Sequence, residues 1–343
     1  MRFSRLTVLA VLLLILTAAP AAASGPGRAD GAKAEHERVL RFWTPAKMAA
    51  AQPRDFVRSG NGFSPNARPP KPPGGGGGAG SAAVTGATWS KGGAVAESVG
   101  KVYFTMGGSS YQCSGTVAKD SRTNFSLVLT AGHCAYDETR GEFASNWIFI
   151  PAWGSAAVGF KGVDCTQYGA TKYGCWTATA LVVHNGYATA GGFNTQATVH
   201  DYAFAVVGAG GKGGSVPARL DAAVPAFDVS ISGITKGSQA YAFGYPAAGK
   251  YKGNKLTYCA GTTIEDNYNS NLTWGLGCDM TGGSSGGPWL SEFSESTGVG
   301  KLSSLNSYGY SGVKNMYGPK FNSNTSAVYT AADSATSNTV VGP

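Results

Sequence analysis

Charged residues are scarce in this chain: Asp, Glu, Lys and Arg make up 13% of its 343 residues. Coiled coils are built largely from charged and helix-forming residues, so this fraction excludes them. Beyond the N-terminus, no apolar run approaches the roughly 20 residues that a membrane-spanning helix needs. The aromatic content of 11% is too high for a wholly disordered chain. The composition therefore predicts a folded protein with a sizeable core.

A clustered basic face is also missing from most of the chain. Residues 1–80 hold 11 basic and 4 acidic residues, whereas residues 81–343 have a net charge of only +1. Nucleic-acid-binding domains present a basic patch or stripe. We therefore expect no nucleic-acid partner.

The N-terminus has the pattern of a secretory signal peptide. Arg2 and Arg5 precede an apolar stretch over residues 6–19, and Ala21 to Ala23 supply an A-x-A cleavage pattern. We expect residues 1–23 to be removed. The mature protein is then expected to be secreted, extracellular, monomeric and not bound to a membrane.

Residues 24–80 differ in character from the rest of the chain. The spacing of apolar residues predicts a helix over residues 34–47, and a proline-rich stretch at 69–73 precedes five glycines at 74–78. Stiff proline followed by flexible glycine is typical of a linker. We interpret residues 24–80 as a prosegment with its linker, and residues 81–343 as the functional body.

The body is rich in short apolar runs separated by Gly, Asn and Ser, which predicts strands. These runs cover residues 102–105, 126–130, 147–150, 202–207, 239–243, 256–258 and 301–305. No helical pattern of 10–15 residues alternates with them, so a βαβ architecture is excluded. The fold class is predicted to be all-β, a barrel or a sandwich.

Six cysteines in an exported chain favour three disulfides, although six cysteines allow 15 pairings. Their grouping along the chain favours neighbour pairs, namely Cys113 with Cys134, Cys165 with Cys175, and Cys259 with Cys278. No C-x-x-C or clustered Cys/His spacing occurs, so we expect no metal site.

Three local sequences carry candidate catalytic residues. His133 follows a strand and a small-residue turn and stands beside Cys134. Asp201 begins an apolar strand, where a buried acid needs a partner such as an imidazole N–H. Ser285 lies in a glycine-rich loop at 281–288, where the amides of Gly283 and Ser285 are free to converge on an oxyanion.

Together these three sequences resemble the chymotrypsin/trypsin-like serine peptidases, and especially the secreted bacterial branch that includes glutamyl endopeptidases. The resemblance covers roughly residues 95–315. It extends to the sequences around Cys113, Cys134 and Ser285, and to a substrate-binding strand at Ser307, Tyr308 and Gly309. It implies two antiparallel β-barrels with the active site between them. It also implies a Ser-His-Asp endopeptidase that acts on protein or peptide substrates without a cofactor.

One position departs from the animal branch of that family. Ser284 stands where those enzymes have an aspartate that pairs with a newly cut N-terminal amine. This activation switch therefore lacks its acceptor. Residues 24–80, in particular 42–45, also resemble prosegments of secreted actinobacterial peptidases, which implies a zymogen.

Parts of the sequence also fit two other functions. The loop around Ser285 also fits the G-x-S-x-G motif of α/β-hydrolases, but that fold places its histidine after the serine, and no histidine follows His200. The second alternative is a catalytically inactive, protease-like binding protein, and labelling by a fluorophosphonate would distinguish it.

Substrate preference depends on the residue six positions before the nucleophile, Asp279, which in the resembled family lies at the base of the specificity pocket. An acid there implies cleavage after Arg or Lys through a charge-assisted contact. The alternative is a preference for Glu. That preference usually involves a histidine in the substrate-binding strand, where residues 305–308 have none.

Overall fold

The computed structural model describes residues 26–60, 62–65, 83–155, 162–167 and 170–342. The predicted signal peptide at residues 1–23 and the Pro/Gly stretch at 69–78 lie outside these residues. Of the part that is described, most regular structure is β, as the sequence predicts.

Twenty-one strands occur in the described residues. In chain order they are β1 Gln52–Pro53, β2 Phe56–Ser59, β3 Gly62–Pro65, β4 Val84–Thr88, β5 Val99–Met106, β6 Ser109–Ala118, β7 Ser126–Thr130, β8 Tyr136–Asp137, β9 Glu142–Phe143, β10 Ser145–Pro151, β11 Trp176–His184, β12 Ala203–Ala209, β13 Gln239–Gly244, β14 Thr257–Thr262, β15 Ile264–Glu265, β16 Thr273–Gly277, β17 Pro288–Ser294, β18 Val299–Leu305, β19 Tyr308–Tyr310, β20 Asn315–Pro319 and β21 Thr339–Val341.

The helices of the described residues are short. They are α1 Pro26–Phe42, α2 Pro45–Ala50, α3 Gly93–Ser98, α4 Asn185–Ala188, α5 Thr195–Val199 and α6 Ser323–Ala332. The single helix predicted over residues 34–47 is wrong in its bounds, because Pro45 stands at the start of a second helix that Thr44 caps. Proline is favoured at that first helical position, and the residue before a proline is disfavoured in helical geometry. None of these helices has the length and apolar character that a membrane crossing needs.

The first barrel is a closed sheet of six strands. Its order is β6-β5-β10-β11-β12-β7, and β7 pairs back onto β6. Its core is apolar; β7 and β12, for example, are buried along their whole length. Closure leaves no unpaired edge between these six strands, which stabilises a barrel built from short strands.

The second barrel is divided between two hydrogen-bonded sheets. One has the order β18-β17-β13-β14-β4, and the other contains β15-β16-β20-β19. A smaller apolar cluster fills this half of the molecule and includes Trp289, Leu276 and the Cys259–Cys278 disulfide. The predicted all-β fold with two barrels is confirmed.

All three predicted disulfides are present in the structure, between Cys113 and Cys134, Cys165 and Cys175, and Cys259 and Cys278. The described residues contain no free cysteine.

The segment that precedes the first barrel is not a loose arm in the part that is described. β1 pairs with β6 at Tyr111 and Gln112, outside the part of β6 that pairs with β7, and β2 and β3 extend the second-barrel sheet beside β19. Residues 26–65 therefore contact both barrels.

Candidate active site

His133 lies in a short turn at the end of β7. Gly132–Cys134 form a single 3-10 turn, and the Cys113–Cys134 disulfide joins this turn to β6. The imidazole is fully buried. The turn thus fixes the ring at the boundary of the first barrel, as expected from the sequence.

Asp201 lies immediately before β12 and is also fully buried. Its Oδ1 accepts a hydrogen bond of 2.8 Å from the backbone N–H of His133. Its Oδ2 accepts one of 2.8 Å from His133 Nδ1 and a third from the Ser307 hydroxyl. A carboxylate with these donors holds the imidazole in one orientation, with the proton on Nδ1.

Ser285 lies between β16 and β17, in a loop shaped by glycine. Gly286 has a φ of +79°, and a Cβ there would lie 2.3 Å from the Thr130 hydroxyl oxygen, so only glycine fits. The backbone N–H groups of Gly283 and Ser285 have no hydrogen-bond acceptor among the described residues. Two free N–H groups beside a serine hydroxyl are available to a developing oxyanion.

Ser284 stands where the animal branch of the family has an aspartate. It is buried, and its hydroxyl donates to the carbonyl oxygen of Thr281 at 2.9 Å. This hydrogen bond joins two uncharged groups of the same loop. Ser284 therefore helps to shape the loop and carries no charge for an N-terminal amine.

A cavity of about 920 Å³ opens beside Ser285. Its lining includes all four of the residues predicted for substrate binding, Asp279, Ser307, Tyr308 and Gly309. Tyr308 and Gly309 belong to β19, so the predicted substrate-binding strand is a strand that borders this cavity.

Asp279 does not present a free carboxylate to the cavity. Lys250 Nζ lies 2.6 Å from its Oδ2, and the Tyr251 hydroxyl donates to its Oδ1. The Lys250 side chain is 60% exposed. Any cation that binds Asp279 must therefore exchange with an exposed lysine.

Cys113, His133 and Cys134 are the one group of metal-ligand residue types that lies close together in the described part of the chain. Both sulfurs belong to the disulfide, so neither is available as a thiolate ligand.

No protein-family model and no curated protein matches the chain. Solved structures do match. The protease Anisep from Arthrobacter nicotinovorans is 37% identical with a TM-score of 0.57, and the match covers 70% of this chain and 96% of that one. The thermostable serine protease AL20 from an extremophilic microorganism is 35% identical with a TM-score of 0.57, over 71% and 99% of the two chains. The chain belongs to the chymotrypsin-like serine proteases.

A Glu endopeptidase also matches this protease, at 20% identity and a TM-score of 0.48, over 68% of the present chain and 90% of the other.

The N-terminal segment of this protease lies across the site, which the sequence did not reveal. Arg54 places its carbonyl oxygen 3.1 Å from His133 Nε2, and Asp55 and Val57 line the same cavity as Ser285. No hydrogen bond joins the Ser285 hydroxyl to His133 in the described structure. The one sequence feature that could have indicated this docking is the apolar pair Phe56-Val57 inside an otherwise polar segment.

Proposed function

We propose that this protein is a secreted serine endopeptidase that works through an acyl-enzyme intermediate. Ser285 attacks the substrate carbonyl, and His133 accepts its proton and later returns it to the leaving amine. Asp201 orients the imidazole and stabilises its charged form. The observation that carries the proposal is the buried pair of hydrogen bonds from His133 to Asp201, at 2.8 Å each.

The oxyanion of each tetrahedral intermediate is assigned to the backbone N–H groups of Gly283 and Ser285. Their lack of other acceptors in the described structure supports this role. Removing one donor of such a site typically costs about 100- to 1000-fold in rate. The proposed reaction needs only these groups and water.

Fluorophosphonate labelling tests the proposal, because this reagent reacts with an activated serine. The processed protein should label and hydrolyse peptides, and Ser285→Ala should lower kcat by about a millionfold. Ser284→Ala is the matched control, since it removes the neighbouring hydroxyl and its hydrogen bond to Thr281 but keeps the nucleophile, so this variant should still label. Failure of the processed wild-type protein to label would instead favour a protease-shaped binding protein.

The working enzyme is proposed to lack residues 1–80, first through removal of the signal peptide at 1–23 and then of the prosegment and linker at 24–80. Export and the linker composition support this order. N-terminal sequencing of the secreted protein tests it. A mature N-terminus at Ser24 would mean that the segment is retained.

For substrate preference, we retain Asp279 as the acid that receives an Arg or Lys side chain. The exposed Lys250 supports this assignment, because exposed ion pairs are worth only about 0–1 kcal/mol and exchange readily. Cleavage after Glu is the competing outcome, in which Lys250 and Lys314 on the cavity lining would receive the substrate carboxylate.

A further inference from the structure

The segment Gln52–Ser59 crosses the cleft in a defined direction. β1 runs parallel to β6, with Gln52 opposite Tyr111, and β2 runs parallel to β19, with Phe56 opposite Tyr308. The chain thus passes the triad at Arg54 before it reaches the substrate-binding strand.

A substrate has to run the other way. If cleavage follows the residue in the specificity pocket, as the proposed function requires, the residues along β19 must precede the scissile bond. In the segment, the residues beside β19 follow the triad-facing residues Arg54 and Asp55. The segment therefore occupies the cleft in reverse.

The contact between Arg54 and His133 removes the general base. The Arg54 carbonyl oxygen lies 3.1 Å from His133 Nε2, within hydrogen-bond distance of the nitrogen that has to accept the proton of Ser285. Nδ1 already donates to Asp201. While the Arg54 carbonyl engages Nε2, this nitrogen is not available to accept the proton of Ser285.

Asp55 covers the nucleophile loop itself. It packs against Gly282 so closely that a Cβ on this glycine would lie 2.4 Å from the Asp55 carboxyl carbon. The same side chain lines the cavity beside Ser285. A substrate side chain cannot enter that part of the cavity while Asp55 remains there.

Phe56 anchors the segment on the catalytic side. Its ring stacks on Phe193 with centroids 3.9 Å apart and meets the edge of His133 at 5.4 Å. It is buried in this position. Burial removes the apolar ring from water, so this ring is a principal docking contact.

Polar contacts with the first barrel fix the position of the segment along the cleft. The Arg54 guanidinium lies 3.4 Å from the Glu138 carboxylate, and both side chains are buried. Glu138 also accepts from the Tyr187 hydroxyl at 2.8 Å. Gln112 donates to the carbonyl oxygen of Ala51 at 2.6 Å. A sliding of the segment by one residue would break these contacts together.

We propose that residues 52–59 are the ligand of the catalytic cleft in the unprocessed chain, a reversed strand that blocks the enzyme by occupying His133 through the Arg54 carbonyl and the cavity through Asp55. This inference rests on the proposed function. It also implies that cutting the linker between the segment and the body does not by itself release the active site.

The first experiment measures fluorophosphonate labelling of the full, uncut chain, with intact-mass analysis to ensure that residues 52–59 are still attached. The wild-type chain should label slowly, and Phe56→Ala should label at least about tenfold faster because the docked strand loses its apolar anchor. Phe125→Ala, which truncates a partly buried aromatic ring outside the cleft, is the matched control and should label as slowly as the wild type.

Equal labelling of uncut wild-type and fully processed protein would overturn the inference and leave the proposed function standing. Absence of labelling in every form, including protein freed of the segment, would instead count against the proposed function. Equal acceleration in Phe125→Ala would assign the effect to general destabilisation and reject the docking role of Phe56.

The second experiment places a recognition sequence for a specific protease within residues 66–82 and cuts the folded chain there. We expect the segment to co-elute with the body and labelling to stay slow, whereas the cut Phe56→Ala protein should lose the segment and label rapidly. Rapid labelling of the cut wild-type protein while the segment still co-elutes would overturn the inference.

Discussion

At the scale of single residues, Asp55 has the most informative environment. Enclosure in the cavity raises the pKa of its carboxyl from 3.8 to about 6, and the nearby His133 opposes this rise. Because the docked state raises the pKa of an acid, it favours the protonated form. The Asp55 carboxyl therefore favours docking most below pH 4, favours it less as the pH rises from 4 to 6, and contributes no further change at higher pH.

This reasoning predicts that the segment binds on the order of a hundredfold more weakly at pH 8 than at pH 4. The measurement is the affinity of the segment in linker-cut protein carrying Ser285→Ala, which prevents turnover. A segment with Asp55→Asn should bind tightly at both pH values, because the amide does not titrate. The variant leaves unchanged His133, which acts electrostatically on Asp55, and the other ionisable groups of the cavity, which are Lys250, Asp279, Lys314 and the tyrosines. Identical profiles for the two proteins would contradict the role of Asp55.

Substitutions of Asp279 and Lys250 should change cleavage after Arg and Lys in opposite directions. Lys250→Ala should increase cleavage after Arg and Lys, because the substrate no longer competes with a resident ammonium group. Asp279→Asn should decrease it by about tenfold or more, through loss of a charge-assisted contact. A peptide-library digest of the processed enzyme measures both. Cleavage mainly after Glu, or unchanged activity in Asp279→Asn, would reject the assignment of Asp279.

At the scale of secondary-structure elements, β19 is held in place by a buried acid. The hydroxyls of Tyr308 and Tyr310 donate to Asp266 Oδ2 at 2.6 and 2.8 Å. Burial, followed by this carboxylate, raises the pKa of Tyr308 well above its ordinary value, so the phenol stays a donor. These charge-assisted hydrogen bonds thus fix β19 through the tyrosines at its two ends.

Asp266→Ala should lower the free energy of unfolding by about 2–4 kcal/mol, because the buried Tyr308 hydroxyl and the partly buried Tyr310 hydroxyl lose their acceptor. Thermal or denaturant unfolding of the uncut chain measures this change. Tyr268→Ala, in the same loop but 63% exposed, is the control and should change stability by less than about 0.5 kcal/mol. Equal effects of the two substitutions would show that the acid does not support the strand.

The disulfides should separate stability from chemistry. Replacing Cys165 and Cys175 by Ser should cost about 2–3 kcal/mol of stability and leave the labelling rate of processed enzyme unchanged. Replacing Cys113 and Cys134 should lower both the stability and the labelling rate, because Cys134 is in the turn that carries His133. Loss of labelling in the Cys165/Cys175 variant would contradict this division.

Strand positions were predicted well from sequence, because alternation and turn residues are local signals. The predicted run at 126–130 coincides with β7, and the run at 202–207 starts one residue before β12. The docking of β2 was not predicted, since a four-residue strand that pairs with a partner about 250 residues away has no local signature. The same is true of the buried pair formed by Arg54 and Glu138.

At the scale of the whole molecule, the three residues of the candidate site could be proposed from sequence because each stands in a distinctive local sequence. His133 and Asp201 do meet in the structure. Two features of the site depend on spatial proximity alone: the engagement of Asp279 by Lys250, and the strand that lies over the cleft. Side-chain partners of that kind are set by the packing of distant loops, and periodicity along the chain does not predict them.

The pairing of β2 with β19 also bears on how the protein is made. The ribosome synthesises Phe56 roughly 250 residues before Tyr308, so the blocking strand already exists when the last strands of the cleft are completed. A covalent tether gives such a strand an effective concentration in the millimolar range. The newly finished cleft therefore meets its own strand before it meets any other protein.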